Sequence, residues 1–309
     1  MSLVNNYSFK SSDNVHDIHV REWVPSSPPV AVLQIIHGVA ETIDRYDAFA
    51  EFLNKNGIAA AGTDHLGHGH SILDEEDLGY FADNGGWELV VSDEHKLNEQ
   101  LREKYPGVPI FIFGHSMGSF IARTYAITYR KDPKGMIICG TGFPPAPMVT
   151  AGIALSKFEQ KRKGSRYRSP IVDKAAFGSY NKKIQNPRTD KDWLTTDNAI
   201  VDKYIKDPLC GFVPTVGLFH DMFKAIKYVC AEKNIKRVTK DLPLYIISGN
   251  DDPVGDYGKG VQRCYNSYIS AGMEDVTMKL YKGARHEILN EYCKEDVYED
   301  ILNWMKSKM

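Results

Sequence analysis

Apolar runs of strand length alternate with amphipathic segments of helix length along most of the chain. Residues 30–36 (VAVLQII) are apolar except for Gln34, and residues 110–113 (IFIF) are apolar throughout, which is typical of strands covered on both faces. Residues 87–105 instead place their apolar side chains on one helical stripe, which Pro106 and Gly107 terminate. This alternation predicts an α/β fold with a mostly parallel central sheet and helices on both faces.

The same patterns set the order of the elements. Strands are predicted at residues 30–36, 58–61, 110–113, 136–139, 244–247 and 277–281. Helices are predicted at residues 44–56, 87–105, 117–129, 257–271 and 297–305. Residues 18–23 alternate between apolar and polar side chains and predict an antiparallel strand at the edge of the sheet.

The alternation of predicted strands and helices ends at a proline cluster, Pro144, Pro145 and Pro147. The following residues have helical and loop-like patterns but contain no convincing buried strand. Because a segment of about 80 residues inside a domain is not expected to be a structureless loop, it predicts a folded insertion. We therefore expect a core of residues 1–142 and 225–309, and an inserted helical cap at residues 143–224.

Composition narrows the class of protein. The chain has 309 residues, of which 42% are hydrophobic and 25% charged, with a formal net charge of −2. These values are typical of a globular protein, and the chain has no net positive charge of the kind that attracts nucleic acid. The five cysteines do not have the spacing of a metal site, and we predict that they are reduced thiols. No apolar run approaches the ~18 residues of a membrane-spanning helix, so we expect a cytoplasmic protein.

The strongest local motif is Gly114-His115-Ser116-Met117-Gly118, which matches G-x-S-x-G between a predicted strand and a predicted helix. That context favours a nucleophile elbow, in which small flanking residues allow a tight turn that presents the serine. The helix N-terminus then directs free N–H groups at the site, the first from Met117. A glycine-rich helix cap without chemistry is the alternative interpretation.

A serine hydroxyl needs a base, and the base needs an acid that orients it. In this arrangement the acid and then the histidine follow later strands. Asp251 and Asp252 follow the strand at 244–247, and either fits, since an aspartate before proline is also a good helix cap. His286 follows the strand at 277–281 and has no histidine rival after the acid. Because position 290 is asparagine, His286 and Glu287 do not form the HExxH zinc motif.

Two further loops follow predicted strands. His37-Gly38 comes directly after residues 30–36, where the loop backbone is expected to supply a second oxyanion N–H. Residues 64–71 contain three histidines, but their spacing fits no recognised zinc pattern and no cysteine is near. We therefore predict a glycine-shaped loop beside the site and no metal.

Together these residues resemble the monoacylglycerol lipase and lysophospholipase branch of the α/β hydrolases, a group that includes the S33-type serine aminopeptidases. The matching pieces are residues 37–41 with 45–46, 64–71, 114–118, 252–254 and 286–287. The resemblance implies an α/β-hydrolase fold, a triad of Ser116, Asp252 and His286, and oxyanion donors at Val39 and Met117. The sequence departs from the family at Ala40, where its lipases often have glycine.

The inserted segment matches the family's cap, and its two halves differ in character. The second half is apolar and predicts either a lining for an acyl chain or packing onto the core; its apolar residues are Phe212, Val213, Val216, Leu218, Phe219, Met222 and Phe223. Residues 157–191 contain eleven lysines or arginines against three acidic residues. That surplus predicts attraction to a phosphate head group or an anionic lipid surface, with a solvated face as the alternative.

These observations predict a serine carboxylester hydrolase that cleaves single-chain lipid esters, as a lysophospholipase or monoacylglycerol lipase does. The chemistry needs neither a metal nor an organic cofactor. A small-ester esterase, a thioesterase and an aminopeptidase would use the same triad and stay open as alternatives. A binding protein that kept the fold without the chemistry is an alternative from another class.

Overall fold

The computed structural model describes residues 3–130 and 133–309. Its strands are β1 (Leu3–Lys10), β2 (Asp17–Val24), β3 (Ala31–Ile36), β4 (Ile58–Thr63), β5 (Ile110–His115), β6 (Gly135–Cys139), β7 (Leu244–Gly249) and β8 (Val276–Tyr281). They form one sheet in the spatial order β1-β2-β4-β3-β5-β6-β7-β8. All pairs from β4 to β8 are parallel, which confirms the predicted mostly parallel sheet.

The central strands are buried on both faces. Every residue of β3, β4, β5, β6 and β7 is buried. This explains why apolar residues predominate in these strands, because helices cover both sides of the sheet.

The antiparallel strand predicted at residues 18–23 is β2, which pairs antiparallel with both β1 and β4. It is therefore the second strand from the edge, and its prediction as the edge strand itself was wrong. The edge strand is β1, which the sequence pattern did not predict. Each residue of β1 is exposed or only half-buried, so the strand lacks the apolar run that marks its neighbours.

The helices are α1 (Asp47–Lys55), α2 (Gly86–Lys104), α3 (Met117–Thr128), α4 (Ala146–Lys163), α5 (Pro170–Phe177), α6 (Asn198–Lys206), α7 (Val216–Val229), α8 (Glu232–Ile235), α9 (Lys259–Ser270) and α10 (Lys294–Lys308). Helices α1 and α10 pack on one face of the sheet. Helices α2, α3, α7 and α9 contribute to the core on the other face. Among the described residues, no helix has the length and hydropathy required to cross a membrane.

The connection from β6 to β7, residues 140–243, is the longest in the molecule and is described throughout. It carries α4 to α8 and contains no strand. Within it, α4 packs on α7, and α7 in turn packs against α2 and α3. The β6–β7 segment is therefore anchored on the sheet-covering helices through α7.

Candidate active site

Ser116 lies at the turn between β5 and α3. Its backbone has φ 54° and ψ −119°, a left-handed conformation that a non-glycine residue rarely adopts. The Ser116 N–H donates to the Cys139 carbonyl at 3.0 Å, and its own carbonyl accepts from the Ser119 hydroxyl at 2.6 Å. These bonds hold the strained turn and leave the Ser116 side chain half-buried.

The two glycines of the motif have a steric cause. A Cβ on Gly114 would lie 2.4 Å from the Gly118 carbonyl oxygen. A Cβ on Gly118 would lie 2.0 Å from the Ile36 carbonyl oxygen and 2.5 Å from that of His37. Since backbone atoms obstruct both positions, only glycine lets α3 approach β3 this closely.

Asp252 and His286 lie on the loops after β7 and β8, and the structure brings them together. His286 Nδ1 is 3.1 Å from both carboxylate oxygens of Asp252, and both residues are buried. Asp252 also accepts hydrogen bonds from the Ser248 hydroxyl and the Val254 N–H, each at 2.9 Å. Asp251, the other aspartate of this loop, is exposed to solvent.

Two opposing effects act on the Asp252 carboxyl. Burial alone would raise its pKa, but the facing His286 imidazole and the hydrogen bonds from His286, Ser248 and Val254 together lower it below the usual value. Asp252 is therefore a carboxylate at neutral pH. An ionised acceptor favours the tautomer in which His286 Nδ1 carries the proton and Nε2 has a free lone pair.

The second nitrogen of the His286 ring has different surroundings. His286 Nε2 is buried and has no hydrogen-bond partner in the described parts of the chain. Gly140 lies against the ring, since a Cβ there would be 3.1 Å from His286 Cε1, and the Trp193 ring is centred 5.1 Å away. Ser116 and His286 line the same cavity, but no hydrogen bond joins them in residues 3–130 and 133–309.

Val39 and Met117 also line that cavity. Within residues 3–130 and 133–309, neither backbone N–H has a hydrogen-bond acceptor. The loop that carries Val39 is held on both sides of it, because the Gly38 N–H donates to Glu41 Oε1 at 2.5 Å and the Ala40 carbonyl accepts the Gly211 N–H at 2.9 Å. Both residues thus border the cavity at Ser116 with a backbone N–H that donates to no partner in the described parts of the chain.

The His37 side chain holds the same loop. His37 Nδ1 is 2.7 Å from the Gly38 carbonyl oxygen, so the imidazole fixes the peptide that continues into the Val39 N–H. His37 Nε2 accepts the His65 N–H at 3.1 Å, and His65 Nε2 lies 3.0 Å from the His37 carbonyl oxygen. The imidazole therefore contributes to the loop geometry, a role that sequence reasoning had assigned to the backbone alone.

The histidines of the 64–71 loop pack as a group with His37. The His37 and His65 rings stack at 3.8 Å, and His68 lies 5.4 Å from His37. Burial is the main cause that lowers the pKa of His37 well below its usual value and that of His68 to about 3. Among the described residues, no group of three or more histidine, cysteine, aspartate or glutamate side chains could hold a metal ion.

A buried set of charged side chains links the Val39 loop to the His286 loop. Arg45 Nη1 donates to Glu41 Oε2, and Nη1 and Nη2 donate to the two carboxylate oxygens of Glu287, all at 2.7 Å. His115 Nδ1 lies 3.1 Å from Glu41 Oε1. We call these four residues, Glu41, Arg45, His115 and Glu287, the buried ionic cluster.

The charges of the buried ionic cluster compensate one another. Burial would lower the pKa of His115, but the Glu41 carboxylate outweighs it and raises that pKa above the usual value. Burial would raise the pKa of Glu41, but His115 and Arg45 hold it well below its usual value. In the sequence, these four residues stand out only as parts of the motifs shared with the family. Charged residues in the loops after the strands were the signal that could have identified Glu41, Arg45 and Glu287.

The cavity at Ser116 has a volume of about 900 Å³. Its apolar walls come largely from the β6–β7 segment, including Met148, Val149, Leu155, Phe212, Val213, Met222, Phe223 and Ile226. Of the apolar residues singled out in the sequence, Val216, Leu218 and Phe219 are instead fully buried in the packing of α7. The volume and lining are of the kind that binds a small, largely apolar ligand.

A mostly parallel eight-stranded sheet with a serine at a strained strand–helix elbow defines the chain as an α/β hydrolase. Comparison with known proteins agrees with this class. The family model described as serine aminopeptidase, S33, matches residues 27–292, and the chain belongs to that family.

Relatives within the family are lipases and esterases. The chain is 30% identical to a putative monoglyceride lipase of Schizosaccharomyces pombe over 92% of this chain and 68% of that protein. It is 27% identical to the monoglyceride lipase of Rattus norvegicus, covering 94% of this chain and 86% of the relative. A solved carboxyl esterase from Bacillus coagulans, in complex with glycerol, superposes with a TM-score of 0.91 at 30% identity, covering 98% of both chains. The predicted ester hydrolase of monoacylglycerol-lipase type is confirmed.

Proposed function

We propose that this enzyme hydrolyses monoacylglycerols or similar single-chain lipid esters through an acyl-enzyme on Ser116. His286 is the general base, Asp252 orients it, and the N–H groups of Val39 and Met117 bind the oxyanion. The observation that carries the proposal is that the elbow serine and His286, which is paired with Asp252, line one largely apolar cavity of about 900 Å³.

The first half of the reaction forms the acyl-enzyme. As Ser116 Oγ attacks the ester carbonyl carbon, His286 Nε2 takes the hydroxyl proton and the carbonyl oxygen becomes an oxyanion. The Val39 and Met117 N–H groups, which have no acceptor among the described residues, are available to that oxygen. The C–O bond to the alcohol then breaks, and His286 returns its proton to the leaving oxygen.

The second half regenerates the enzyme. A water molecule gives a proton to His286 Nε2 and attacks the acyl carbon, and the tetrahedral intermediate forms on the same two donors. Its collapse breaks the bond to Ser116 Oγ, which recovers the proton from His286, and releases the carboxylic acid. Throughout, the ionised Asp252 stabilises the imidazolium that forms twice in each cycle.

Two observations support a single acyl chain with a small alcohol. The cavity walls from the β6–β7 segment are apolar, which suits a chain of methylene groups. Relatives at 27–30% identity carry the name monoglyceride lipase, and their alcohol would be glycerol.

We also propose the division into a core of residues 1–142 and 225–309 and a cap of residues 143–224. Helices α4 to α6 and much of α7 fall within this cap, and none of its residues joins the sheet. Limited proteolysis tests the division. First cleavages between residues 143 and 224, with the core fragments remaining associated, would support it, and first cleavages inside the core would contradict it.

The test of function is hydrolysis of a p-nitrophenyl ester series from C2 to C16, with monoacylglycerols alongside, by the wild type and Ser116→Ala. We expect the longer chains to be favoured and Ser116→Ala to lose about 10⁴–10⁶-fold in kcat. Activity confined to C2–C4 would replace the lipid substrate with small esters. Full activity of Ser116→Ala would refute the assigned nucleophile.

A fluorophosphonate probe provides an independent check. Labelling of the wild type and its loss in Ser116→Ala would establish an activated serine even for an untested substrate. An unlabelled wild type would favour a binding protein on the same fold.

A further inference from the structure

The backbone of the loop that carries His286 is bonded to a loop of the inserted segment. The His286 N–H donates to the Trp193 carbonyl at 3.4 Å, and the Glu287 N–H donates to the Leu194 carbonyl at 2.7 Å. Both carbonyls belong to residues 192–196, which lie between α5 and α6 and which we call the 192–196 segment. The position of the proposed base therefore depends on where this segment lies.

Glu291 bonds the same two loops to each other. Its Oε1 accepts the Arg285 N–H at 2.8 Å and the Thr196 N–H at 2.9 Å, and its Oε2 accepts the Thr196 hydroxyl. Glu291 is only 3% exposed, and hydrogen bonds to a carboxylate are roughly twice as strong as those between neutral groups. One carboxylate thus joins the residue before His286 to the end of the 192–196 segment.

Two further side chains fasten the 192–196 segment to the loop of the base. Arg285 Nη1 donates to the Asp192 carbonyl at 2.5 Å and to the Thr195 carbonyl at 3.1 Å. The Thr195 hydroxyl in turn donates to the Asn290 carbonyl at 3.0 Å. The segment is therefore held along its whole length by residues 285–291.

The carboxylate that joins the two loops lies outside the cavity. Neither Glu291 nor Thr196 is among the described residues that line the cavity at Ser116, whereas Trp193 and His286 are. A substitution at Glu291 therefore removes no lining residue from the space that an ester would occupy. Its effect on the rate must pass through the position of the two loops.

We propose that Glu291 is a positioning residue for His286, which it places by holding the 192–196 segment against the loop of the base. This rests on the proposed function, in which His286 Nε2 transfers the proton. Without the carboxylate, the Arg285 N–H and the Thr196 N–H lose their acceptor, and the two loops can separate. Proton transfer depends on the direction of Nε2, and a misplacement of about 1 Å typically reduces the rate about 100-fold.

The test compares Glu291→Ala and Glu291→Gln with the wild type on the p-nitrophenyl ester that the wild type hydrolyses best. We expect Glu291→Ala to lower kcat about 100-fold and to change KM less than about twofold, because the base moves while the cavity walls stay. Glu291→Gln should retain kcat within about fivefold, since its amide oxygen accepts both N–H groups and the Thr196 hydroxyl can accept from its amide nitrogen.

Thr196→Val is a second variant of the same contact. It removes the hydroxyl bond to Glu291 and keeps the backbone bond, so kcat should fall about three- to tenfold, as for the net loss of one hydrogen bond. KM should again change less than about twofold. Wild-type kcat in Thr196→Val would overturn the proposal even if Glu291→Ala did not fold.

Glu22→Ala is the matched control for lost stability. Glu22 is a fully buried carboxylate of β2 that also accepts three hydrogen bonds, from Asn5, Lys104 and Tyr105, and it is not among the described residues of the cavity lining. Thermal unfolding should show a comparable lowering of Tm in the two alanine variants. At a temperature well below both Tm values, Glu22→Ala should retain kcat within about twofold.

Three results would overturn the proposal. They are a loss of kcat in Glu291→Ala no greater than in Glu22→Ala, an equal loss in Glu291→Gln and Glu291→Ala, and a loss in Glu291→Ala that is confined to KM.

Failure of the proposed function gives a different result, in which no ester is hydrolysed in a Ser116-dependent way. The rate of fluorophosphonate labelling of Ser116 then tests the positioning, because activation of the serine still needs the base. Labelling slowed about 100-fold in Glu291→Ala would support the proposal, and labelling as fast as in the wild type would overturn it. An unlabelled wild type would refute both.

Discussion

Replacing Gly118 with alanine should damage both stability and catalysis, because its added methyl group has no room. The new Cβ would lie 2.0 Å from the Ile36 carbonyl oxygen and 2.5 Å from that of His37. Ordinary carbon–oxygen contacts are above 3 Å, so α3 and the end of β3 must separate by roughly 1 Å. The end of β3 cannot yield easily, since it pairs with β4 on one side and β5 on the other.

The change in the free energy of unfolding caused by Gly118→Ala is the balance of two opposed effects. Overpacking against backbone is expected to cost about 3–4 kcal/mol, at or slightly above the usual range, and alanine recovers up to about 1 kcal/mol of helix propensity. A net loss of about 2–4 kcal/mol would lower Tm by roughly 5–10 °C in a chain of this size. The same movement separates the Val39 loop from Ser116, and a misplacement of about 1 Å typically reduces the rate about 100-fold.

Gly217→Ala is the matched control. Gly217 is the second residue of α7, as Gly118 is of α3, so the propensity gain is equivalent. A Cβ at Gly217 would approach its nearest neighbour, the Ser165 carbonyl oxygen, only to 3.1 Å. Thermal unfolding and kcat on a p-nitrophenyl ester measure both effects. If Gly118→Ala matched Gly217→Ala in Tm and kcat, the steric account of the elbow would be refuted.

Three further substitutions test other parts of the site and fold. Asp252→Asn should reduce kcat about 10⁴-fold on p-nitrophenyl esters, because the amide no longer selects the reactive tautomer of His286. Glu41→Gln should lower the free energy of unfolding by about 3 kcal/mol in urea titrations, since it leaves part of the Arg45 charge buried without compensation. Asp221, whose pKa burial raises to about 6, should stabilise the fold less as pH rises from 4 through 6. Asp221→Asn should abolish that component of the pH dependence, measured by urea unfolding at each pH.

Each of these has a control and a contrary result. Asp251→Asn changes the exposed neighbour of Asp252 and should leave kcat within about twofold; an equal loss in both variants would contradict the assignment of Asp252. Glu41→Gln with wild-type unfolding would mean that the buried ionic cluster contributes no net stability. The sign for Asp221 follows from its raised pKa: the folded protein holds that proton more tightly, so ionisation weakens the fold. A stability that rises between pH 4 and 6 equally in the wild type and Asp221→Asn would contradict it.

The central strands and the loops that follow them could be predicted from the sequence, because they depend on local patterns of apolar and polar residues. Ser116 directly follows the buried strand β5, Asp252 lies on the loop after the buried strand β7, and His286 lies on the loop after β8, which is only partly buried. Because parallel strands end at one edge of a sheet, their loops were expected to converge there. Asp251 and Asp252 could not be separated by pattern, since the distinction is that one is exposed and the other buried.

Other features depend on contacts between distant residues. Arg45 and Glu287 are 242 positions apart, so no local sequence pattern can indicate that they pair. They come into contact only because the loops after β3 and β8 meet in the fold. The role of the His37 imidazole likewise depends on the backbone of His65, which follows a different strand. Strand β1 was missed because a half-exposed edge strand needs few apolar residues and pairs mainly through its backbone.

The arrangement of the β6–β7 segment has an evolutionary consequence. Helix α7 packs on α2 and α3 and leads the chain back towards β7, so it satisfies the crossover that neighbouring parallel strands require. Helices α4 to α6 add nothing to the pairing of the sheet, so they can change by insertion, deletion or exchange without disturbing the strands that lead to Ser116, Asp252 and His286. The loop between α5 and α6 is more constrained, because the carbonyl groups of Trp193 and Leu194 accept the backbone N–H groups of His286 and Glu287. Selection can therefore alter which molecules enter this enzyme while the reaction is inherited unchanged.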